Sequence, residues 1–190
     1  MNSVVSLCNA ALLSIGADTI TSLTEDSDEA AFCNARYEQV RDAVLRAHPW
    51  NCAVRRAGLS RDASAPAFGY AYRYLLPTQP YCLRVLKVFG EETHGWRLTA
   101  GRYLETDHPT AQIEYIARVS EVSGYDPLLA EAIAARLAAE AAFKLVQSNS
   151  QREAQWSLYL NKLAEARSID AREGNDFRPS DEAWLTVRNN

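Results

Sequence analysis

The chain has 190 residues, of which 47% are hydrophobic and 23% are charged, and this composition of a folded globular protein excludes disorder over most of its length. Its 20 basic and 24 acidic residues give a formal net charge of -4, so bulk positive charge cannot hold it on nucleic acid and any contact with DNA must be local. No apolar run reaches the roughly 18 residues of a membrane-spanning helix, so we expect no membrane contact.

The cysteines point to neither a disulfide framework nor a metal site. No C-x-x-C pair occurs, and the three histidines do not cluster with cysteine at the spacing of metal ligands. We therefore expect a reduced, intracellular assembly environment, with no zinc and no cofactor. The four cysteines are Cys8, Cys33, Cys52 and Cys82.

Two helices are predicted in the N-terminal quarter. Apolar residues recur every three or four positions over 3–15, Gly16 can close this helix, and the lack of basic residues at its start argues against a secretory signal. An acidic linker, 18–29, follows without a single basic residue. Helical spacing then resumes over 28–47 and ends there, because Pro49 forces the residue before it out of helical geometry.

The middle of the chain has the pattern of strands. Proline and glycine punctuate short runs rich in Tyr, Leu and Val, and the short connections favour an antiparallel meander. Simple alternation would place Leu83, Val85 and Lys87 on one face and the residues between them on the other. The predicted strands are 70–75, 83–89, 96–99, 102–105 and 112–119.

Two further helices are predicted after the strands. Asp126 is a suitable N-cap and Pro127 suits the first helical position, so the third, alanine-rich helix begins there, and its charged residues indicate close packing against other helices. Ser150 and Glu153 have the spacing of a capping box, which predicts a fourth helix that continues to about residue 172.

Together these elements predict a mainly helical α+β fold, a four-helix bundle that carries an antiparallel β-meander. The bundle would consist of 1–52 and 124–172, and the β-rich subdomain of 53–123. The polar segment 173–190 contains four large apolar residues and is expected to be a C-terminal docking arm. The residues expected to bind a partner are Phe177, Trp184, Leu185 and Val187.

One pair of side chains has the types needed for nucleophilic catalysis. Cys52 and His48 are a candidate nucleophile and base, but Pro49 lies between them and breaks the helix that would align them. We therefore expect a core thiol beside a histidine at a helix end.

Other candidate groupings are also better explained by structure than by chemistry. Glycoside cleavage would need paired carboxylates, but Glu91-Glu92 and Glu105 with Asp107 lie in predicted hairpin turns, where charges are usually solvated. His94 and His108 beside Asp107 cannot close a metal site by themselves, so a turn is expected. No phosphate-binding glycine motif occurs. We predict no catalytic, cofactor-binding or metal-binding residue.

The most specific local feature is a basic segment with no acidic residue between positions 43 and 60. It has two equally supported interpretations: a surface that faces a polyanion or an acidic partner, or a strand with Trp50 and Val54 in the core and solvated arginines. We assign its arginines to subunit or DNA-channel contacts. They are Arg46, Arg55, Arg56 and Arg61.

An aromatic cluster follows the basic segment. Its period of two predicts one shared sheet face, which favours a core or a subunit interface over the stacking of bases. Its members are Phe68, Tyr70, Tyr72, Tyr74 and Tyr81.

The first third of the chain carries a family resemblance. Residues 9–16 read Asn-Ala-Ala-Leu-Leu-Ser-Ile-Gly, and 20–23, the acidic linker, 30–37, Trp50-Asn51 and Leu59 follow. Over about residues 2–61 this pattern resembles the tail tubular protein A family, the head-to-tail adaptors of short-tailed phages. Through the strands and the third helix the order of elements and the overall length agree.

This resemblance implies a structural virion protein and no enzyme. Such a protein is a helical bundle with a β-rich insertion, assembled in the host cytoplasm into a ring, expected to be dodecameric, at the head-tail junction. The implied partners are the portal protein, the tail nozzle protein and other copies of the chain, with only non-specific contact to the DNA that passes through the channel. We expect the C-terminal arm to dock on the portal, or alternatively to fold back on its own bundle.

Two other classes of function stay open. A phage-associated enzyme that degrades polysaccharide would need two buried carboxylates facing each other across a cleft. A DNA-binding protein that uses the segment from Arg46 to Arg61 would need a basic helix aimed at a groove of the DNA.

Overall fold

The computed structural model describes residues 3–90 and 95–173, and these form a mixed α+β fold with four α-helices and two small antiparallel sheets of three strands. None of the described helices is long and apolar enough to cross a membrane. The elements are α1 (Val4–Ile15), α2 (Asp28–Ala47), β1 (Val54–Leu59), β2 (Tyr72–Leu75), β3 (Cys82–Phe89), β4 (Trp96–Thr99), β5 (Tyr103–Thr106), β6 (Ala111–Ala117), a short 3-10 turn (Val122–Gly124), α3 (Pro127–Val146) and α4 (Asn149–Glu173).

The predicted ends of the first two helices are confirmed. Ser3 caps α1 by accepting a hydrogen bond from the backbone nitrogen of Ser6, and Gly16 ends it in the left-handed region at φ 75°. Helix α2 ends at Ala47, and His48 before Pro49 is extended at φ -144°. The backbone preferences of Gly16 and Pro49 therefore end these two helices.

Helix α3 begins as predicted, whereas the predicted cap of α4 is wrong. The carboxylate of Asp126 accepts a hydrogen bond from the backbone nitrogen of Leu128 at 2.8 Å. At the next junction Gln147 takes a left-handed conformation, and the hydroxyl of Ser148 accepts from the backbone nitrogen of Gln151 at 3.2 Å. Because the chain turns sharply after α3, the side chain that caps α4 is Ser148, two residues before the predicted Ser150.

The predicted single meander is also wrong, because the strands form two sheets whose orders are β1-β6-β3 and β2-β5-β4. Strand β6 takes the centre of the first sheet, since it buries residues on both of its faces, among them Ile113 and Ile116. Strand β1 exposes Arg55 and Arg56 and therefore suits an edge. In the second sheet the buried strand β5 is central for the same reason.

The simple alternation predicted for β3 is wrong as well. The pairing of β3 with β6 shifts register between Cys82 and Arg84 and again between Val85 and Lys87. Each irregularity adds a residue, so inward-facing residues recur at every third position instead of every second. As a result Cys82, Val85 and Val88 share one buried face.

The described residues build two apolar cores, one on each side of the first sheet. One core lies between the two sheets and includes Tyr74, Leu104 and Ile113. The other joins the four helices to the opposite face of the first sheet, to which β6 contributes Ile116. The first sheet is therefore a middle layer between the helices and the second sheet.

Helix α3 is the centre of the helical layer, because it packs against α1, α2 and α4. Eleven of its residues are buried. Eight of the eleven are alanines, and their small side chains let neighbouring helices approach closely. Close helix packing was the predicted role of this alanine-rich segment.

Candidate interaction surfaces

The residues that carried the family resemblance lie at structural joints. The side-chain amide of Asn9 donates to the carbonyl of Ile20 at 2.8 Å, and its oxygen accepts from the backbone nitrogen of Ile20 at 2.8 Å. This reciprocal pair of hydrogen bonds fixes the loop between α1 and α2 against α1. Asn9 therefore positions the acidic linker.

Trp50 and Asn51 form a second joint, between the end of α2 and the end of α4. The fully buried indole of Trp50 donates to the carbonyl of Val44 at 3.0 Å. The backbone nitrogen of Asn51 donates to the carboxylate of Asp170 at 3.0 Å, and its side-chain amide donates to the carbonyl of the same residue at 2.7 Å. This junction holds the last turn of α4 in place.

Asp170 accepts most of the hydrogen bonds of this joint, and the sequence pattern was not used to predict it. Besides Asn51 it binds the imidazole of His48 at 3.2 Å. A signal was present: Tyr159, Leu163 and Ala166 mark the buried stripe of α4, and Asp170 continues it at helical spacing. A carboxylate on a buried stripe indicates a polar partner inside the fold.

The candidate dyad of Cys52 and His48 has the geometry of a structural site. The imidazole of His48 is hydrogen-bonded to the carboxylate of Asp170. It lies edge-on to the indole of Trp50, with 4.8 Å between the ring centroids. Burial raises the pKa of the Cys52 thiol and lowers that of the His48 imidazole, although Asp170 opposes the second effect. A raised thiol pKa is the opposite of what an activated nucleophile needs.

The expectation of solvated turn charges is wrong for Glu105. It lies on the central strand β5, is 6% exposed and binds Arg97 at 3.1 Å. The burial follows from the strand order, which local sequence does not reveal. Asp107 accepts a hydrogen bond from the backbone nitrogen of Ala71 at 2.8 Å, and Glu91-Glu92 lie outside the described residues.

Among the residues that the structure describes, Glu105 and Asp170 are the buried carboxylates, and they belong to different layers of the fold. Each is paired with a basic side chain. His108 contacts the carbonyl of Thr110 through Nδ1 at 2.6 Å, while His94 lies outside the described residues. Within 3–90 and 95–173 no group of three or more His, Cys, Asp or Glu residues is placed to hold a metal ion.

All four arginines of the basic segment are exposed, but most are engaged within the chain. Arg46 donates to the carbonyl of Leu83, and Arg56 binds Glu114 at 2.8 Å. The guanidinium of Arg61 stacks over the ring of Tyr72, 4.1 Å from its centroid. The remaining arginine of the segment, Arg55 on β1, differs from these three.

Arg55 has no carboxylate partner among the described residues, since it donates only to the carbonyl of Val54 at 2.8 Å. Trp50 is in the core and Val54 is half-buried while the arginines are at the surface, as the strand interpretation expects. That the arginines face a polyanion or an acidic partner stays a prediction. Arg55 is the one best placed to meet a partner.

The aromatic cluster divides between core and surface. Tyr74 is 1% exposed and forms part of the core between the sheets, whereas Phe68 is 83% exposed and precedes β2, so its predicted place on the sheet face is wrong. The other tyrosines carry arginines over their rings: Arg97 over Tyr70, Arg61 over Tyr72, and both Arg102 and Arg118 over Tyr81.

The acidic linker presents its charges to solvent. Asp18, Asp26 and Asp28 are exposed. Glu25 accepts hydrogen bonds at 2.8 Å from both the backbone nitrogen and the hydroxyl of Thr21, and these bonds lower the pKa of its carboxyl group. The chain thus exposes one acidic and one basic segment.

A further surface, which the sequence analysis missed, is an open groove of about 730 Å³ between α2, α3 and α4. Its apolar wall includes Phe143 and Trp156, which are 51% and 44% exposed. Arg152 stacks on Phe143 with 5.7 Å between its guanidinium and the ring centroid, and Arg36 binds Glu140 at 2.6 Å at the rim. Large exposed aromatic side chains with arginine neighbours are typical of protein-interaction sites.

The predicted partner-binding residues of the C-terminal arm, Phe177, Trp184, Leu185 and Val187, lie outside the described residues. Their role stays a prediction. Comparison of the chain with protein-family models and with curated proteins finds no match.

Proposed function

We propose that the chain is a subunit of the head-to-tail adaptor ring of a short-tailed phage, which joins the portal to the tail nozzle around the DNA exit channel. In this proposal its helices act as a four-helix bundle that forms the body of the subunit. The resemblance over about residues 2–61 supports this, and three of the residues that carry it, Asn9, Trp50 and Asn51, stabilise joints of the fold.

The observation that carries the proposal is the exposure of two oppositely charged segments on one chain. The acidic linker offers Asp18, Asp26 and Asp28, and β1 offers Arg55 without an internal carboxylate partner among the described residues. Such segments are complementary between two copies in a head-to-tail contact. A head-to-tail contact between identical subunits generates a ring if its rotation closes.

In this proposal the portal sets the rotation between neighbouring subunits of the ring. A heterologous contact does not by itself fix how many copies close a ring, so a symmetric template sets the number. The isolated chain is then expected to be largely monomeric, with rings formed when the portal is added. Surface charge pairs are individually weak, which agrees with assembly that depends on a template.

The test is charge reversal at Arg55, measured as the fraction of the protein that assembles on the portal in sedimentation. Arg55→Glu is a cleaner probe than the double reversal with Arg56, because Arg56→Glu would also place an acid beside Glu114. Like charges across an interface cost several kcal/mol, so we expect assembly to be lost or reduced more than tenfold.

Lys144→Glu is the matched control, because Lys144 is an exposed base in the last turn of α3 and the substitution makes the same change in net charge. It should assemble as the unmodified chain does. Normal assembly of Arg55→Glu would contradict the role of the charged segments.

The two alternative functions receive less support. The arginines that a DNA-binding protein would use lie at the end of α2, along β1 and just after it, and not along one face of a helix. The buried carboxylates Glu105 and Asp170 are held by basic partners in separate layers, whereas glycoside cleavage needs two carboxyl groups on either side of one bond.

A further inference from the structure

The groove between α2, α3 and α4 combines exposed aromatic rings with two arginines and two acids, Glu140 and Glu153. Arg36 is already paired with Glu140, so Arg152 is the base in this lining that can meet an acid of a docked segment. Phe143 and Trp156 present exposed rings in the wall of the groove. Arg152 lies over Phe143 and has no carboxylate partner among the described residues. The groove has a volume of about 730 Å³, which is enough for one or two large side chains.

The segment 174–190 of the same chain has the complementary composition. It contains Trp184, the residue type most often found as an anchor in protein interfaces, followed directly by Leu185. Asp181 and Glu182 come just before this pair, so the anchor brings negative charge with it. That charge suits the guanidinium of Arg152, which meets no carboxylate within 3–90 and 95–173.

The length of the segment allows it to reach the groove. At a rise of 1.5 Å per residue, Glu173 lies about 25 Å along α4 from Trp156. The stretch 174–184 spans up to about 36 Å when extended, which exceeds that distance. The tether also gives the segment an effective concentration near the millimolar range at its own groove, which favours it over the segment of another copy.

We propose that in the isolated chain the groove holds the chain's own C-terminal segment, with Trp184 against Phe143 and Trp156 and the acids Asp181 and Glu182 beside Arg152. The docked segment covers the exposed aromatic wall until a partner displaces it. This docking belongs to the isolated chain, so its test requires neither a ring nor a portal and can fail independently of the adaptor role.

The four tryptophans of the chain give a direct test, because each indole N–H yields one resonance in a ¹H–¹⁵N spectrum of the full-length protein. Trp184→Ala should shift the resonance of Trp156 and leave that of Trp50 unchanged, since Trp50 is buried and bonded to Val44. Trp96→Ala is the matched control, because Trp96 is a partly exposed indole on β4, and it should leave Trp156 unshifted.

Arg152→Glu should shift the Trp156 resonance in the same direction as Trp184→Ala, because repulsion from Asp181 and Glu182 weakens the docking. A Trp156 resonance that is identical in the unmodified chain and in Trp184→Ala would overturn the proposal. A mixing experiment gives a second contradicting outcome. If adding unlabelled full-length chain restores the Trp156 resonance of labelled Trp184→Ala protein, the groove is occupied by the segment of a second copy, and the proposal is wrong.

Discussion

At the scale of single residues, Leu12 and Leu13 offer a direct comparison between a core and a surface position on one helix. Leu12 is fully buried and Leu13 is 65% exposed. Leu12→Ala should lower the free energy of unfolding by about 2–4 kcal/mol, through lost burial and the cavity left behind. Leu13→Ala should change it by no more than about 0.5 kcal/mol. Equal effects in urea unfolding would mean that the buried face of α1 is assigned wrongly.

His48 gives the fold a dependence on pH. Burial lowers its pKa below the ordinary value of about 6.5, so the unfolded chain takes up a proton first as the pH falls. The free energy of unfolding should therefore decrease from about pH 7.5 to about pH 5.5, through the ordinary histidine pKa.

The change that isolates this effect is His48→Gln, which cannot titrate in this range. Urea unfolding at both pH values should show a smaller loss of stability on acidification for the variant than for the unmodified chain. If the unmodified chain loses less than the variant, attraction between protonated His48 and Asp170 outweighs the effect of burial.

At the scale of elements, the clamp by Asn9 should hold the connection between α1 and α2. Asn9→Ala removes two hydrogen bonds to Ile20, and leaving those backbone groups without partners should cost about 1–3 kcal/mol. Hydrogen exchange at the amide of Ile20 should become faster. Asn34→Ala, at an exposed position of α2, should leave that exchange rate unchanged. Unaltered exchange in Asn9→Ala would show that the linker is held by other contacts.

The elements that could be predicted from sequence are those fixed by neighbouring residues. Gly16 and Pro49 end helices through their own backbone preferences, and Asp126 caps a helix with its own side chain. Strand order depends instead on pairing between distant segments, such as Val54 with Ile116. A meander was therefore predicted where two sheets exist.

The same distinction applies to the candidate surfaces. Exposure of Arg55 follows from its place on an edge strand, and a basic segment is visible in the sequence. The groove needs three helices to meet, and its wall combines Phe32 of α2 with Phe143 of α3 and Trp156 of α4. Nothing in the local pattern of any one helix indicates that these rings come together.

At the scale of the whole molecule, the two apolar cores and the exposed charges lie in different places. The two cores lie on either side of the first sheet. The linker reaches the helical core through Ile20 and Leu23, whereas the side chains of Asp18, Asp26 and Arg55 are at the surface. Charge changes at these surfaces should therefore affect association and leave the melting temperature almost unchanged.

The central claim, that the chain is a head-to-tail adaptor, is tested most directly by native mass spectrometry of the protein mixed with the portal of the same phage. We expect a complex whose mass equals the portal ring plus a closed ring of this chain, with the symmetry of the portal, and a monomer when the chain is measured alone. A mass spectrum of the mixture that shows only free portal and free chain would contradict the account.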